Sequence, residues 1–180
     1  ELGLNDQLGD AQAKEIVKFI KDQENQGFSY ENATASFELV VKRFLPDYEP
    51  PFQLKDFVVL VENRSGINGN FLCEATVKIK VDEQVVHTAS EGNGPVNALD
   101  QALRKALIQF YPEIYSLRLT DYNVRVVNES AATEAKVRVA IESADDKVIW
   151  RTVGCSANIL EASWMALSDS LEWWLNKNLN

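Results

Sequence analysis

The sequence predicts an α+β fold in which a small helical connector precedes two pseudo-symmetric βββα units, each an antiparallel sheet with a helix packed on it. Three observations carry this prediction. Apolar residues recur at helical spacing through the first 46 residues, and strand-like alternation of apolar and polar residues begins after residue 50. From there, the order of three strands and one helix occurs twice along the 180-residue chain.

The predicted connector covers residues 1–46 and contains two helices. Asp10 is a candidate N-cap of the first helix, and Gly27 lies where that helix would end. Ser29 is a candidate N-cap of the second helix, which would end before Pro46. Each helix carries its apolar residues on one face, so each should pack against another part of the protein.

Residues 47–51 are predicted to form a stiff, extended linker, because three prolines fall within the six residues Pro46–Pro51. A second domain would follow at residues 52–180. Its first repeat is expected at about residues 52–111 and its second at about residues 117–176. The domain boundary therefore lies near residue 50.

Residues at matching positions of the two repeats indicate a duplication. Asp56 and Phe57 open the first unit, and Asp121 and Tyr122 open the second unit 65 positions later. The second strands align at an offset of 60 residues and the helical segments at an offset of 64. A three-stranded sheet with one helix buries only one face well, so we expect the two copies to pack together.

The charge balance argues against polyanionic partners. Eighteen Lys and Arg residues against 27 Asp and Glu residues give a formal net charge of −9. Such a surface repels phosphate, so we expect neither nucleic acid nor an anionic membrane as a partner. No apolar run approaches the ~20 residues that span a bilayer. The chain begins at Glu1 rather than at a methionine, so we expect a processed or truncated piece of a longer protein.

Side chains suited to catalysis or metal binding are scarce. The sequence holds one histidine, His87, and two cysteines, Cys73 and Cys155. A catalytic triad, a Cys–His pair or a thiolate zinc site requires more of these groups, or closer spacing. We therefore expect no catalytic residue, no metal site and no cofactor in this chain. We expect a surface or structural role for the histidine, and buried thiols in a reducing cytoplasm.

The last predicted helix is rich in tryptophan. Trp164, Trp173 and Trp174 spread over more than one stripe of this helix, which predicts burial on two sides. One interpretation is a single thick core within the chain. The other, which we favour from the sequence, is an interface between subunits, because aromatic residues are enriched at interfaces.

The two predicted helix starts have features of a binding site. The segment Glu91–Asn97 contains Gly92 and Gly94, and glycines stand where backbone turns or approaches another group closely. Free N–H groups at a helix start can bind a carboxylate or phosphate. The corresponding segment of the second repeat ends in Asn158, with Glu161 three residues later, which is close to a capping box. A well-capped helix start without a ligand would have the same pattern.

Three segments resemble a known family. Residues 91–107 read EGNGPVNALDQALRKAL, residues 121–127 read DYNVRVV, and residues 152–170 read TVGCSANILEASWMALSDS. Together they resemble the C-terminal regulatory domain of the 2-isopropylmalate synthase and homocitrate synthase family, in the form found in citramalate synthases. The segment GFSYENATASFELVVKRF, followed by PPFQLKDF, resembles the connector that precedes this domain in citramalate synthases.

The resemblance implies a cytoplasmic, homodimeric, allosteric domain that binds an end-product amino acid near the dimer interface and inhibits a catalytic barrel of the same polypeptide. For a citramalate synthase, which condenses acetyl-CoA with pyruvate in isoleucine biosynthesis, the implied effector is isoleucine. The barrel, with its divalent metal and its acetyl-CoA, is absent from this chain. We therefore expect the chain alone to be catalytically inert.

The resemblance also implies which residues contact the effector. These residues are Gly92, Gly94, Val96 and Asn97 from the first helix start, and Leu119, Tyr122, Val126, Val137, Ala157 and Ile159 from the second repeat. The apolar strand residues would enclose a branched side chain, and N–H groups around Asn93–Val96 would hold the carboxylate. The same strand residues would be core in any protein. Asn97 stands where many members of the family have aspartate, so the partner of the ammonium group is not assigned.

Two other functions stay open from the sequence. A leucine-sensing regulatory domain of a 2-isopropylmalate synthase would share the fold and the predicted site. A dimerisation scaffold without effector binding would share the fold alone, and the intact glycines of the first helix start argue against it. A free-standing enzyme is opposed by the scarcity of histidine and cysteine.

Overall fold

A computed structural model of the protein describes residues 9–63, 71–127 and 135–179. Its helices and strands are, in chain order, α1 Asp10–Asn25, α2 Thr34–Arg43, β1 Gln53–Asn63, β2 Phe71–Val81, β3 Gln84–Gly92, α3 Pro95–Leu107, the short 3-10 helix Pro112–Ser116, β4 Arg118–Val126, β5 Val137–Ala144, β6 Ile149–Ser156 and α4 Ile159–Asn178. This order confirms the predicted α+β fold, with two helices ahead of two βββα units. Residues 1–8 of the predicted connector lie outside the described residues.

The described residues divide into two compact lobes. Lobe 1 is Pro50–Leu117, which contains the first βββα unit. Lobe 2 is the described part of Glu1–Glu49 together with Arg118–Asn180, so the two connector helices pack with the second βββα unit. Each lobe holds one antiparallel sheet, in the orders β1-β2-β3 and β4-β5-β6.

In lobe 1, helix α3 covers one face of the sheet. Ala75, Val77 and Ile79 alternate along the central strand β2, and all three are 0% exposed. Leu99 and Leu103 of α3 are equally buried. The strand period of two residues and the helix period of 3.6 residues therefore meet in one apolar layer, as the sequence predicts.

In lobe 2, the sheet has a helical partner on each face. Val139 and Ile141 of the central strand β5 are buried on the face on which α4 packs. On the opposite face, Tyr30 and Val40 of the connector form an apolar cluster with Val153 of β6. We call the first surface the α4 face and the second surface the connector face.

The strands of both lobes share one irregularity. The pairing of β1 with β2 shifts register between Leu54 and Asp56, and the pairing of β4 with β5 shifts between Leu119 and Asp121. The two bulges are 65 positions apart, which is the offset at which the first strands of the repeats align. A bulge kept at the same place in both copies is a designed feature of the unit.

One side-chain hydrogen bond is also duplicated. Thr88 donates from Oγ1 to the carbonyl of Ala102 at 2.7 Å, and Thr152 donates to the carbonyl of Ala166 at 2.7 Å. Both members of the second bond lie 64 positions beyond those of the first bond. Each bond attaches the third strand of a repeat to the helix that follows it, so the duplication extends to individual contacts.

Helix α1 begins one residue before the prediction places it. Gly9, rather than Asp10, is the N-cap, and the Gln12 side chain accepts a hydrogen bond from the Gly9 backbone N–H at 3.1 Å. The predicted end is confirmed, because Gly27 has a φ of 110° and follows the last turn. That φ lies in the left-handed region, which favours glycine.

Helix α2 begins later than the prediction, at Thr34, with Ala33 rather than Ser29 as the N-cap. The segment Ser29–Ala33 instead forms a turn, in which the Ala33 N–H donates to the carbonyl of Tyr30 at 3.0 Å. This turn buries the Tyr30 ring against the connector face. The free energy gained by burying the Tyr30 ring is larger than the free energy that a side-chain N-cap at Ser29 would contribute.

A largely buried polar network attaches the connector to α4. The Arg43 guanidinium donates to Asp169 at 2.7 Å and to Glu172 at 3.1 Å and 2.7 Å. Tyr48, from the predicted linker, donates its hydroxyl to Glu172 at 2.7 Å, and Ser36 donates to Asp169 at 2.6 Å. Both carboxylates therefore have partners from the connector.

The tryptophans of α4 are buried within the single chain. Trp164 and Trp174 are 7% and 6% exposed, and the Trp173 ring stacks on Trp150 at a centroid distance of 5.4 Å. The expectation that these rings form an interface between subunits is corrected, because their surface is already used inside the chain. The internal-core interpretation applies to them.

The scarce reactive residues have ordinary surroundings. Cys73 and Cys155 are free thiols and both are buried, as the sequence predicts. His87 is exposed on β3, opposite Lys78 of β2. Among the helices of the described residues, none is both long and apolar enough to cross a membrane.

Candidate functional site

Four of the predicted effector contacts gather at one end of the lobe 2 sheet. Val126 of β4 is the cross-strand partner of Val137 of β5, and Val137 is in turn the partner of Ser156 at the end of β6. Ala157 follows directly, and Ile159 opens α4. Val126 and Ile159 are 51% and 44% exposed. The end of the sheet where α4 begins therefore carries apolar side chains that the chain does not fully cover.

Tyr122 lies further along β4, on the α4 face, opposite the buried Ile141. Its hydroxyl lies 2.8 Å from the Ser163 hydroxyl, and Ser163 donates its hydrogen to the carbonyl of Ile159 at 2.6 Å. Because Ser163 has only one hydrogen, Tyr122 must be the donor in the bond between the two hydroxyls. The lone pairs of the Tyr122 oxygen stay available to a further donor.

Leu119 lies apart from the other apolar contacts. It is the second residue of β4, opposite Ser143, whereas Val126 ends the same strand. Seven residues of extended strand separate their Cα atoms by roughly 23 Å. A ligand of amino-acid size cannot touch both side chains within lobe 2 unless the strand deforms.

The other four predicted contacts belong to lobe 1, at the start of α3. Gly92 approaches the helix closely, because a Cβ at this position would lie 2.4 Å from the backbone nitrogen of Ala98. Gly94 is the N-cap, with an extended φ of −170° that any residue adopts, and no described atom would lie within 4 Å of a Cβ there. Of these two glycines, only Gly92 is therefore required by packing.

Some of the backbone N–H groups at this helix start already have hydrogen-bond partners. Asn97 accepts from the Asn93 backbone N–H at 3.1 Å, so that N–H already has a partner. Pro95 has no N–H to offer, and the N–H groups of Val96 and Asn97 lie in the first turn, where an α-helix leaves them without a partner of its own. These last two groups are the donors that remain for an anion.

The start of α4 is capped within the chain. Asn158 is the N-cap and accepts from the Leu160 N–H at 2.9 Å, as predicted. Glu161 does not complete the expected capping box. Its carboxylate accepts from the Ser156 hydroxyl, and the Asn158 N–H donates to the same Ser156 oxygen at 3.0 Å. Ser156 thus replaces the direct contact between Glu161 and the cap.

Ser163 is the site residue that sequence reasoning missed. It is 0% exposed and orients the Tyr122 hydroxyl. The signal that could have identified it is a small polar residue four positions after Ile159, on the same face of a helix. Among the described residues, no group of three or more His, Cys, Asp or Glu side chains is arranged to hold a metal ion.

Comparison with known proteins places these motifs in a family. Residues 31–175 match the family described as the LeuA allosteric (dimerisation) domain. The chain is 46% identical over 178 residues, 99% of its length, to an (R)-citramalate synthase of Aquifex aeolicus. It is 48% identical over 164 residues, 91% of its length, to an (R)-citramalate synthase of Geobacter sulfurreducens. A 2-isopropylmalate synthase of Shewanella woodyi is 29% identical over 160 residues, 88% of the chain.

The chain spans about a third of the length of the curated relatives it matches. It covers 34% of the Aquifex protein, 31% of the Geobacter protein and 27% of the Shewanella protein. The similarity therefore concerns one part of each relative.

Proposed function

Since the chain belongs to the family of LeuA allosteric (dimerisation) domains, we propose that it is the feedback-regulatory domain of a citramalate synthase and that it binds isoleucine. The observation that carries this proposal is the similarity to citramalate synthases over nearly the whole chain. The parent enzyme would condense acetyl-CoA with pyruvate, an acyl transfer carried out by a metal-dependent barrel of the same polypeptide. The domain would act in the cytoplasm as a homodimer.

The apolar end of the lobe 2 sheet suits a branched aliphatic side chain. Val126 and Val137 lie side by side, and Ile159 adds a further aliphatic group at the start of α4. Each methylene of the ligand buried among such groups contributes ~0.8 kcal/mol. Isoleucine and leucine carry the same number of carbons, so selection between them depends on shape rather than on buried area.

The charged ends of an amino acid also have candidate partners. The free lone pairs of the Tyr122 hydroxyl are suited to accept from an ammonium group, since that hydroxyl already donates to Ser163. The N–H groups of Val96 and Asn97 are suited to a carboxylate. Each group of residues is a candidate within its own lobe, and each is tested by its own substitution.

Inhibition follows from linkage. An effector shifts an equilibrium only by its difference in affinity for the two states, which typically gives 1–3 kcal/mol of coupling. The connector is the proposed route toward the catalytic barrel. Its Arg43 is bonded to Asp169 and Glu172 of α4, so a movement of α4 would also displace the connector.

Thermal melting of the chain with isoleucine, leucine and valine tests the proposal. A ligand at 100 times its dissociation constant adds ~2.7 kcal/mol of stability, which is a shift of several degrees for a protein of this size. The proposal predicts the largest shift with isoleucine. A larger shift with leucine would indicate the regulatory domain of a 2-isopropylmalate synthase, and no shift with any of the three would indicate a dimerisation scaffold.

A further inference from the structure

A cavity lies on the connector face of the lobe 2 sheet, opposite α4. Its volume is about 540 Å³, within the range of small-molecule sites. The turn Ser29–Ala33 of the connector forms one side. The other side is formed by side chains from all three strands, namely Asp121, Asn123, Arg125, Arg138, Ala140, Arg151 and Val153.

The strand register arranges these side chains in three rows across the sheet. Arg125 pairs with Arg138 in the first row. Asn123, Ala140 and Val153 form the second row, whose small side chains leave the space that the cavity occupies. Adjacent rows on one face of a strand are about 7 Å apart. The cavity therefore has an arginine pair at one end and a floor without charges beside it.

The third row, at the other end of the cavity, contains an ion pair between two of its side chains. Asp121 is the cross-strand partner of Glu142, and Glu142 is the partner of Arg151. Arg151 donates to the Glu142 carboxylate at 2.8 Å from Nε, with its Nη2 at 2.6 Å. This ion pair cancels one cationic and one anionic charge. Asp121 remains at this end, and the connector turn adds Glu31.

The arginine pair has no such compensation. Like charges directly opposite each other on two strands are destabilising, and Arg125 faces Arg138 in this way. Arg138 donates from Nε to the carbonyl of Gly27 at 2.5 Å. Within the described part of the chain, Arg125 has no hydrogen bond or ion pair, and neither arginine pairs with the Glu31 or Asp121 carboxylate. Among the described residues, no anion therefore pairs with these two adjacent guanidinium groups, although the chain has a net charge of −9.

We propose that this cavity is a binding site for a small polar molecule that carries a carboxylate or phosphate group, held by Arg125 and Arg138. Guanidinium groups bind both oxyanions through paired N–H donors, and here the anion would also relieve the repulsion between the two arginines. The Asn123 amide and the Asp121 carboxylate would receive hydroxyl or amino groups at the other end. The ligand would contact the connector and the sheet together, because Ser29–Ala33 forms one side of the cavity.

Calorimetric titration of the chain with orthophosphate and with citrate, at constant ionic strength set by sodium chloride, tests this site. We expect saturable binding of at least one anion, and the comparison separates a phosphate ligand from a carboxylate ligand. Arg125→Gln should weaken that binding at least tenfold. This variant should fold as the wild type does, because Arg125 is exposed and makes no hydrogen bond or ion pair with another described residue.

Three control variants make the result decisive. Arg118→Gln removes the same charge from the same strand outside the cavity, where its pair with Asp146 is exposed, and should leave affinity within twofold. Ala140→Leu fills the floor without changing any charge and should also abolish binding. Tyr115→Phe, at a position 86% exposed in lobe 1, should leave anion binding unchanged. Equal affinity of Arg125→Gln and the wild type for the anion would overturn the assignment. The assignment would also be overturned if neither orthophosphate nor citrate bound saturably at concentrations up to tens of millimolar.

Discussion

Two hydrogen bonds join the Arg43 guanidinium to the Glu172 carboxylate, at 3.1 Å from Nε to Oε1 and at 2.7 Å from Nη2 to Oε2. The same Nη2 lies 2.7 Å from Oδ1 of Asp169, three residues earlier on α4. Residues three apart lie on one face of a helix, so both carboxylates meet one arginine at the end of α2. Glu172 is 5% exposed and Asp169 is 8% exposed. The connector is therefore held to α4 by two shielded carboxylates and one arginine, whose side chain is 40% exposed.

Replacement of Arg43 should destabilise the protein strongly. Arg43→Met leaves the Asp169 and Glu172 carboxylates buried without their cation. Breaking a fully buried pair costs about 3 kcal/mol, and because the Arg43 side chain is 40% exposed we expect a loss of about 2 kcal/mol. Urea unfolding followed by tryptophan fluorescence measures this loss. Arg118→Met is the control, because its pair with Asp146 is exposed on both sides and contributes less than ~1 kcal/mol. Equal losses for the two variants would contradict the assigned role of the network.

Asp145 should make stability depend on pH at the acid end. The hydrogen bond from Trp174 Nε1 and those from the backbone N–H groups of Lys147 and Val148 lower the pKa of Asp145 below its usual range. A lowered pKa in the folded state contributes stability above the unfolded pKa and loses it as pH falls through the folded pKa. Asp145→Asn should therefore be less stable than the wild type at pH 7, and the difference should shrink below about pH 4.

Urea unfolding at several pH values checks this trend. Asp146→Asn removes the same charge from the next position, where the carboxylate forms an exposed pair with Arg118. It should change stability at pH 7 by less than ~1 kcal/mol. A gap between Asp145→Asn and the wild type that stays constant from pH 7 down to about pH 3 would contradict the assigned hydrogen bonds.

The two glycines at the start of α3 should respond differently to alanine. Gly92→Ala forces a Cβ to within 2.4 Å of the Ala98 nitrogen and 2.7 Å of its Cα, so backbone must shift. Such overpacking costs about 1–3 kcal/mol. Gly94→Ala meets open space in an extended conformation and should stay within ~1 kcal/mol of the wild type. Thermal melting of both variants measures the two losses of stability. A larger loss of stability for Gly94→Ala than for Gly92→Ala would contradict this packing.

Tyr122→Phe should separate effector binding from stability. Loss of the bond from the Tyr122 hydroxyl to Ser163 costs about 1 kcal/mol of stability, since Ser163 keeps its bond to Ile159. Isoleucine affinity should fall about tenfold, because the hydroxyl that would accept from the ammonium group is removed. Tyr115→Phe, at a position 86% exposed in lobe 1, is the matched control. Equal affinity in both variants would remove Tyr122 from the proposed site.

Much of the fold could be predicted from the sequence because the spacing of apolar residues indicates which segments form helices and which form strands. The alternation of Ala75, Val77 and Ile79 fixes which face of β2 is buried, and Pro95 after Gly94 marks the start of α3. The duplication adds a second, independent copy of each signal. Local patterns of this kind depend on a few neighbouring residues, so a single sequence displays them.

The features that were missed depend on contacts between distant residues. Ser29 has the side chain of an N-cap, yet α2 begins at Thr34 because the Tyr30 ring is buried against β6. The role of Ser163 depends on Tyr122, which lies 41 positions earlier. That Arg125 lies opposite Arg138 could likewise be known only from the register of β4 and β5, which no local pattern specifies.

Calorimetric titration of the wild-type chain and of Gly94→Val with isoleucine tests the proposed effector site most directly. We expect saturable binding to the wild type that is stronger for isoleucine than for leucine. We expect much weaker binding to Gly94→Val, which has room for its side chain within the fold but places it at the proposed carboxylate donors. Flat titrations of the folded wild-type chain with isoleucine would contradict the proposal that this domain senses isoleucine.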